Sequence, residues 1–316
     1  MAFIPVGRLA PSPTGLLHLG HARTFLIAWW HLRSRNGRVL MRLEDLDGPR
    51  VRPGMAEAAL RDLEWLGLDW DGAPLLQSRG LPELVELARS LLARGLAYAC
   101  VCTRAEVRHA QSAPQQGDAE PRYPGTCRGK YGSLEAAERL SGREAGVRFA
   151  VPEGVIELED GFSGSACFDV QAEVGDFLIA RRDGAPAYQL AVVADDARQG
   201  VSDVLRGDDL LPSTARQWLL QRALGFAHPN WFHVPLVTDE HGRRLAKRAD
   251  DLSLAELRAG GTDPRAVVGW AARSAGMPVP EHVSPAEATA VFDLGRVPRS
   301  PVRLGSADIA ALRAAR

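Results

Sequence analysis

The sequence contains very little lysine. Lysine occurs only at Lys130 and Lys247, so arginine supplies the other 36 of the 38 basic residues. Basic and acidic residues nearly balance, with a formal net charge of −1, which argues against a protein that coats nucleic acid over a long footprint. A local basic surface is still compatible with this balance. Because arginine has taken most basic positions, each lysine that is left suggests a specific chemical need.

The sequence also lacks a long hydrophobic run and a secretory leader. Its apolar stretch at residues 24–32 is too short to cross a bilayer and contains His31. No basic segment followed by an apolar core is present at the N-terminus, so we expect no signal peptide, no membrane association and a cytoplasmic location. The 316 residues, 46% of them hydrophobic and 24% charged, are typical of a globular enzyme of about two domains. We expect a monomer.

The most informative segment spans residues 7–21 and reads Gly-Arg-Leu-Ala-Pro-Ser-Pro-Thr-Gly-Leu-Leu-His-Leu-Gly-His. It places His18 and His21 at the start of a predicted helix, after a predicted strand at residues 4–9 and a proline-rich turn. Helix N-termini bind anions through backbone N–H groups, and Gly20 allows a nucleotide to approach closely. Two imidazoles add donors for phosphate oxygens, which suits nucleotidyl transfer from ATP. The alternative is a strand, turn and helix with incidental histidines.

Several blocks of the sequence resemble the class I aminoacyl-tRNA synthetases. His18-Leu-Gly-His21 resembles their HIGH signature, and Ala-Pro-Ser-Pro-Thr-Gly at residues 10–15 narrows the resemblance to the glutamyl and glutaminyl branch. Arg-Leu-Glu-Asp-Leu-Asp at residues 42–47 resembles the second strand block of that branch, and residues 183–209 resemble its central blocks. Gly-Arg-Arg-Leu-Ala-Lys-Arg at residues 242–248 occupies the place of the mobile KMSKS loop. The resemblance covers roughly residues 7–275.

The resemblance implies roles for individual residues. It implies catalytic roles for His18, His21 and Lys247, glutamate contacts for Arg8, Ala10, Ser12, Glu44, Tyr188 and Arg206, and ATP contacts for Pro11, Gly20, His18, His21, Arg244 and Lys247. An arginine fork can hold the γ-carboxylate of glutamate bidentately, while Glu44 can pair with its α-ammonium group. Taken singly, Arg206 or Glu44 could form a surface ion pair, and Tyr188 could pack in a sheet.

The KMSKS-like segment departs from the family pattern. Arg244 replaces its first lysine, Ala246 replaces its serine and Arg248 replaces a small or polar residue. Lys247 occupies the position whose ammonium group stabilises the transferring phosphates. A solvated basic loop is the alternative interpretation, and the lost serine hydroxyl favours slower activation.

The cysteines form a pattern with metal-ligand spacing. Cys100 and Cys102 are followed by a 20-residue spacer and then by Tyr123 and Cys127, whereas Cys167 lies apart. Without signs of secretion, disulfides are not expected. Three thiolates and a fourth ligand satisfy tetrahedral Zn²⁺, and two cysteines two residues apart point the same way in an extended segment. The resemblance implies one zinc ion per chain, bound by Cys100, Cys102, Tyr123 and Cys127. The alternatives are His109 as fourth ligand and buried thiols without a metal.

Strands that alternate with helices predict an α/β fold. We expect a Rossmann-type doubly wound parallel sheet that is interrupted by a zinc-containing insertion and followed by a short helical region. Apolar residues at helical spacing predict helices at 56–66 and 81–94. We expect the sheet to resume with strands at 177–180 and 189–193, and Ser213 to cap the helix after them.

The same pattern divides the chain into four parts. We expect the two halves of a nucleotide-binding domain at residues 1–97 and 171–240. A zinc-binding subdomain that contacts tRNA is expected between them, at residues 98–170. The KMSKS-like loop and the short helical region are expected at residues 241–316. Too few residues follow that region for an anticodon-binding domain of usual size.

The resemblance implies an ATP-dependent ligase that activates L-glutamate. The glutamate α-carboxylate would attack the α-phosphate of ATP and give glutamyl-adenylate and pyrophosphate, with Mg²⁺ offsetting phosphate charge. Members of the branch without an anticodon-binding region transfer glutamate to queuosine in the anticodon of tRNA(Asp), which we expect as the acceptor. The alternatives are a truncated glutamyl-tRNA synthetase that charges a tRNA 3′ end, a ligase for a small molecule, and a glutamate-binding regulatory protein with a weakened active site.

Overall fold

The computed structural model describes residues 3–46, 48, 50–110, 121–243, 245 and 253–316. The α-helices within these ranges are α1 (Leu19–Arg33), α2 (Met55–Trp65), α3 (Leu81–Ala93), α4 (Arg104–His109), α5 (Leu134–Ser141), α6 (Val170–Glu173), α7 (Tyr188–Arg198), α8 (Leu211–Leu224), α9 (Leu254–Ala259), α10 (Pro264–Ser274), α11 (Pro285–Thr289) and α12 (Ser306–Ala314). The strands are β1 (Val6–Leu9), β2 (Arg38–Leu43), β3 (Leu75–Leu76), β4 (Ala97–Cys100), β5 (Gly146–Phe149), β6 (Ile156–Asp160), β7 (Gly164–Phe168), β8 (Leu178–Ala180), β9 (Asp203–Gly207), β10 (Asn230–Val234), β11 (Val237–Thr238) and β12 (Val302–Arg303).

Two groups of parallel strands meet edge to edge. β1 pairs in parallel with β2, and β2 with β3, while β10 pairs in parallel with β9 on one side and β6 on the other. β7 adds an antiparallel strand beyond β6. The Val6 carbonyl accepts a hydrogen bond from the Ser202 N–H at 2.8 Å, which places β1 beside β9. The order β3–β2–β1–β9–β10 is that of a Rossmann sheet, so the expected α/β fold with a parallel sheet is confirmed.

A separate antiparallel sheet contains β4, β5 and β8. Val147 pairs with Ala180 in this sheet, so the prediction that residues 177–180 resume the parallel sheet is wrong. The prediction of a strand at residues 189–193 is also wrong, because these residues lie inside α7. Every residue from Gln189 to Asp196 is buried. A helix that is covered on all sides has no polar stripe, so its apolar run resembles that of a buried strand.

α1 is the central helix of the larger hydrophobic core. Its residues Leu26, Ile27 and Trp30 are completely buried, and the same core includes residues of α9, α10 and α12. The Trp30 indole N–H donates to the Pro285 carbonyl at 3.0 Å, as expected for a buried indole. This packing fixes the helix whose N-terminus follows β1.

The C-terminal segment is integrated into the same core. β12 pairs in parallel with β11 through Val302 and Arg303, and Leu304 and Leu312 are buried. Among the described residues, none of the helices is both long enough and apolar enough to cross a membrane.

Candidate active site

A histidine pair caps the N-terminus of α1. His18 is the N-cap residue, and its Nδ1 accepts a hydrogen bond from the Gly20 N–H at 3.1 Å. The His18 N–H in turn donates to His21 Nδ1 at 3.2 Å, and the two rings stack with their centroids 3.7 Å apart. This is a reciprocal capping box made of imidazoles. Because both Nδ1 atoms accept hydrogen bonds, each neutral ring carries its proton on Nε2 and offers a donor there.

Gly20 is in close contact with the His18 ring. A Cβ atom at position 20 would lie 3.0 Å from His18 Cε1 and 3.1 Å from His18 Nδ1. The segment that follows the KMSKS-like residues also reaches this motif, since Ser253 forms an isolated β-bridge with His18. Arg244 and Lys247 themselves lie outside the described residues.

A buried cluster of charges lies at the ends of β1 and β2. Arg8 donates from Nε to Asp196 Oδ1 at 3.2 Å, and Arg42 donates from Nη1 to the same oxygen at 2.7 Å. Arg42 Nη2 donates to a carboxylate oxygen of Glu44 at 3.2 Å. All four side chains are buried. The carboxylate of Asp196 therefore joins α7 to both strands and orients two arginines.

Arg206 reaches the cluster from β9. Its Nε donates to His233 Nε2 at 3.0 Å, and its Nη2 donates to Thr214 Oγ1 at 3.0 Å and to the Leu210 carbonyl at 3.4 Å. Its Nη1 is buried and has no hydrogen-bond partner within the described ranges. A buried donor without a partner marks a position for a ligand acceptor. The expected bidentate fork is reduced to this one nitrogen, because Nε and Nη2 are already engaged.

Tyr188 is the first residue of α7 and lies beside the cluster. The side chain keeps 39% of its surface exposed, and its hydroxyl interacts electrostatically with Glu44, Arg206 and Arg8. The alternative of a tyrosine packed in a sheet is wrong, because Tyr188 begins a helix. Tyr188 is thus a solvent-exposed residue close to the buried arginines.

The loop after β1 carries the other expected contacts. Pro11 is buried and Ala10 is half-buried, whereas Ser12 is exposed. The Pro11 carbonyl accepts a hydrogen bond from the Glu44 N–H at 3.1 Å. This bond ties the loop to the end of β2, next to the Glu44 carboxylate.

Burial sets the direction of the pKa shift for three groups at this site, Glu44, Tyr188 and Arg206. Burial raises the pKa of Glu44 against the opposing charges of Arg42 and Arg8. Desolvation of its hydroxyl group raises the pKa of Tyr188, although the residue as a whole is partly exposed, and the Glu44 carboxylate raises it further. Burial lowers the pKa of Arg206, while Tyr188 raises it and Arg8 lowers it. Ionised groups with such shifts lack full compensation by the protein, as is common at functional sites.

A second site consists of three thiols and a phenol. The sulfur atoms of Cys100, Cys102 and Cys127 lie within 4.8 Å of one another, with the sulfurs of Cys102 and Cys127 3.5 Å apart. The Tyr123 hydroxyl lies 3.4 Å from the sulfur of Cys100 and 3.7 Å from that of Cys102. His109 is outside this cluster, whose His, Cys, Asp and Glu members among the described residues are the three cysteines alone. His109 as the fourth ligand is therefore wrong.

Arg148 on β5 contacts two residues of the thiol cluster. Its Nε donates to the sulfur of Cys100 at 3.2 Å, and its guanidinium lies 3.7 Å from the centroid of the Tyr123 ring. Its Nη1 donates to the Asp176 carbonyl at 2.7 Å. A buried guanidinium in this position stabilises negative charge on the sulfur.

Sequence reasoning missed several polar residues in and around the buried charge cluster. Arg42 and Asp196 form their contact across 154 positions, and Asp160 and His233 across 73, so no local spacing reveals either pair. Arg42 was named as part of a motif but was given no role. The available signal was an arginine within an otherwise apolar buried strand, because a buried charge requires a partner.

Comparisons with known proteins agree with this geometry. The sequence matches the family described as tRNA synthetases class I (E and Q), catalytic domain, over residues 6–301. It is 48% identical to the Glutamyl-Q tRNA(Asp) synthetase of Symbiobacterium thermophilum, over 97% of this chain and 98% of that protein. It is 45% identical to the protein of the same name from Rhodopirellula baltica, over 86% of this chain and 85% of that protein.

A solved structure shares the fold over nearly the whole chain. The glutamate tRNA ligase of Elizabethkingia meningosepticum, in complex with its amino acid, superposes with a TM-score of 0.81 at 27% identity. The match covers 96% of this chain and 68% of that ligase. On the family match and the relatives together, the chain belongs to the class I tRNA synthetases (E and Q), whose catalytic domain it carries.

Proposed function

We propose that this chain is a ligase that activates glutamate with ATP and transfers the glutamyl group to queuosine in the anticodon of tRNA(Asp). The observation that carries the proposal is the buried Arg206 Nη1, which has no partner within the described residues, in a cluster with Glu44 and Tyr188. The names of the relatives at 45–48% identity support the acceptor.

The net charge of the cluster suits glutamate. It contains three guanidiniums, of Arg8, Arg42 and Arg206, and two carboxylates, of Glu44 and Asp196. The ionised cluster therefore has one excess positive charge, and glutamate carries one net negative charge. The γ-carboxylate accepts a hydrogen bond from Arg206 Nη1 and a second from the Tyr188 hydroxyl, while the α-ammonium pairs with Glu44. This leaves the α-carboxylate available to react.

The capped N-terminus of α1 supplies the groups for nucleotidyl transfer. An oxygen of the glutamate α-carboxylate attacks the α-phosphorus of ATP, and the bond to pyrophosphate breaks. The Nε2–H groups of His18 and His21 and the helix N-terminus stabilise the developing negative charge, with Mg²⁺ on the phosphates. Lys247, which lies outside the described residues, contributes an ammonium group there. A queuosine hydroxyl then attacks the acyl carbon and AMP leaves.

The thiol cluster fits a structural zinc ion. With Zn–S bonds of about 2.3 Å and a Zn–O bond of about 2.1 Å, a tetrahedron places two sulfurs about 3.8 Å apart and sulfur and oxygen about 3.6 Å apart. The corresponding distances are 3.5 Å between the sulfurs of Cys102 and Cys127, and 3.4 and 3.7 Å from the Tyr123 hydroxyl to those of Cys100 and Cys102. We propose one zinc ion bound by these four residues. Its chemistry is structural, because no ligand position is left for substrate.

The decisive experiment is transfer of labelled glutamate, with ATP, to two tRNA pools. One pool comes from cells that make queuosine and the other from cells that cannot. Labelling confined to the queuosine-containing pool is expected. Equal labelling of both pools would instead indicate charging of tRNA 3′ ends, and labelling of neither would overturn both readings and favour a small-molecule acceptor or an inactive binding protein.

Glutamate-dependent pyrophosphate exchange tests the first half-reaction separately. The variant Lys247→Ala should lower the exchange rate and leave glutamate binding largely intact, because the ammonium group acts on the transferring phosphates. An unchanged exchange rate would remove Lys247 from the mechanism.

A further inference from the structure

We propose that Asp160 and His233 form a positioning pair that fixes Arg206 in one orientation and leaves its positive charge uncompensated, so that Nη1 faces the side-chain carboxylate of the amino acid. This inference rests on the proposed role of Arg206 in binding glutamate. His233 contacts Arg206 from the neighbouring strand, and the pair affects the bound amino acid only through Arg206.

Three adjacent strands place these residues in a row. His233 on β10 is the register partner of Arg206 on β9. Asp160, the last residue of β6 on the other side of β10, is the register partner of Trp231, two positions before His233 and on the same face. All three side chains are buried, with His233 completely so. Parallel neighbours in register project to the same face of a sheet. The row is therefore a property of the fold and does not depend on a loop.

The hydrogen bonds specify the tautomer of His233. Arg206 can only donate, so its bond from Nε makes His233 Nε2 an acceptor. The proton of the neutral ring is then on Nδ1, which donates to Asp160 Oδ2. The other oxygen of Asp160 accepts from the N–H groups of Phe162, Ser163 and His233 at 3.0, 2.7 and 3.1 Å. Asp160 is thus an oriented carboxylate acceptor.

The pKa values agree with a neutral imidazole between two charges. Burial lowers the pKa of His233, and its bond to Asp160 opposes this shift. Burial alone would raise the pKa of Asp160, but the hydrogen bonds from His233 and from the Ser163 backbone outweigh it and the pKa is lowered. Arg206 consequently has a neutral acceptor where a carboxylate would have formed an ion pair. The positive charge of the Arg206 guanidinium therefore remains available to a bound ligand.

The remaining nitrogens of Arg206 explain why the orientation matters. Nη2 is occupied by Thr214 and by the Leu210 carbonyl, and Nη1 alone faces the ligand position. An uncompensated guanidinium with one such donor favours a carboxylate over a carboxamide. The amide of glutamine is neutral and presents an NH₂ group where glutamate has a second oxygen. The pair therefore contributes to selection of glutamate over glutamine.

The variant Asp160→Asn tests the tautomer directly. The amide oxygen keeps the three backbone hydrogen bonds, while its NH₂ group donates to His233 Nδ1 and moves the ring proton to Nε2. That proton then faces Arg206 Nε–H, and Nε loses its acceptor. We expect the dissociation constant for glutamate, measured by calorimetry on the full chain, to rise about 10- to 100-fold. The KM for ATP should be unchanged and the preference over glutamine should fall.

Nitrogen-15 NMR of the imidazole provides a readout that a purely structural role would not move. In the wild-type chain, the His233 resonances should show the proton on Nδ1, and in Asp160→Asn they should show it on Nε2. The double variant Asp160→Asn with His233→Gln restores an acceptor oxygen near Arg206 Nε and should recover part of the glutamate affinity. A tautomer that does not change, or a double variant weaker than Asp160→Asn alone, would overturn the proposal.

Asp203→Asn is the matched control. Asp203 lies on the same strand as Arg206, is equally buried, and accepts hydrogen bonds from Arg35 and Ser202, with His31 3.6 Å away. This variant should reduce stability while glutamate affinity stays within a few-fold of wild type. If Asp160→Asn does not fold, His233→Gln against His233→Leu repeats the comparison, since only glutamine offers Arg206 an acceptor. Equal affinities in that pair would refute the positioning role.

The outcomes separate this inference from the proposed function. If the wild-type chain does not bind glutamate in the calorimeter, the proposed function fails before the variants are compared. If the wild type binds glutamate and Asp160→Asn binds it equally well, the function stands and the positioning pair is rejected. If the variant binds glutamate more weakly, with the tautomer shifted, both are supported.

Discussion

At the residue scale, the proposed pairing of Glu44 with the α-ammonium group of glutamate predicts that binding depends on pH. Burial raises the pKa of this carboxyl, so the protonated form persists to a higher pH than for an exposed glutamate. The α-ammonium of the ligand favours the ionised form, and glutamate affinity should therefore fall as the pH drops through the pKa of Glu44. The KM for glutamate in pyrophosphate exchange, measured from neutral to acidic pH, tests this direction.

The variant Glu44→Gln provides the matched comparison. Its neutral amide resembles protonated Glu44, so the glutamate KM should rise about tenfold or more at neutral pH and lose its dependence on acidic pH. Because ionised Glu44 has a raised pKa, it reduces stability above that pKa, and the variant should unfold at the same temperature or higher. A KM profile identical to wild type would exclude Glu44 as the partner of the ammonium group.

Also at the residue scale, substitution of Gly20 should change the stability of the protein and its activity in different directions. In Gly20→Ala the new Cβ atom would lie 3.0 Å from His18 Cε1, so the ring must shift and its bond to the residue 20 N–H weakens. Alanine is the better helix former, by up to about 1 kcal/mol. We expect a melting temperature equal to wild type or slightly higher together with a lower exchange rate. An unchanged rate would show that His18 tolerates the shift.

At the element scale, the sequence predicted elements that a turn or a polar face delimits, and it failed on α7, where every residue from Gln189 to Asp196 is buried. The strand before the histidines, α1 and the helices at 56–66 and 81–94 were predicted correctly, because turns or polar faces delimit them. Ser213 was expected to cap α8, but the helix begins at Leu211. Ser213 is buried there and accepts hydrogen bonds from Gln189 and Arg216. Such contacts between α7 and α8 have no local signal in the sequence.

The proposed zinc site adjoins the antiparallel sheet of β4, β5 and β8. Purified protein should contain about one zinc ion per chain. Removal of the zinc ion by a chelator should lower the melting temperature, because the ion binds only the folded state. Each kcal/mol of stability that is lost should lower the melting temperature by about 2–4 °C. Pyrophosphate exchange should largely persist, since the thiol cluster has a hydrophobic core of its own.

Cysteine variants distinguish this site from adventitious metal. Cys127→Ser removes a ligand from the cluster and should lower the zinc content, whereas Cys167→Ser changes an exposed cysteine on β7 and should leave it unchanged. Metal-free protein with full stability and transfer activity would disprove the zinc site.

At the scale of the whole molecule, the C-terminal segment packs into the main core through contacts that the sequence did not predict. The resemblance covers residues up to about 275, and the residues beyond it were expected to belong to the part that holds the KMSKS-like loop and a short helical region. Their apolar side chains, including Val297, Leu304 and Leu312, are too widely spaced for a period to be recognised. In the structure these three side chains are buried in the core that surrounds α1.

This integration predicts that the C-terminal segment supports activation. β12 pairs with β11, and the Leu304 N–H donates to the Thr238 carbonyl at 2.8 Å. The KMSKS-like residues follow β11 within ten positions, so loosening of this pair should affect the segment that carries Lys247. Leu312→Ala leaves a cavity in the core under α12 and should cost about 2–5 kcal/mol of unfolding free energy. Arg313→Ala, an exposed neighbour on the same helix, should cost much less.

The two variants also test whether α12 anchors β11 or only covers the hydrophobic core. If the C-terminal helix anchors β11, Leu312→Ala should lower the pyrophosphate exchange rate at a temperature where the variant is still fully folded, and the KM for glutamate should change little. Arg313→Ala should exchange at the wild-type rate. Destabilisation of Leu312→Ala with a normal exchange rate would mean that α12 covers the core without supporting the loop. The residues of the proposed glutamate pocket lie on β1, β9 and α7 and directly after β2, so glutamate affinity serves as an internal reference for both variants.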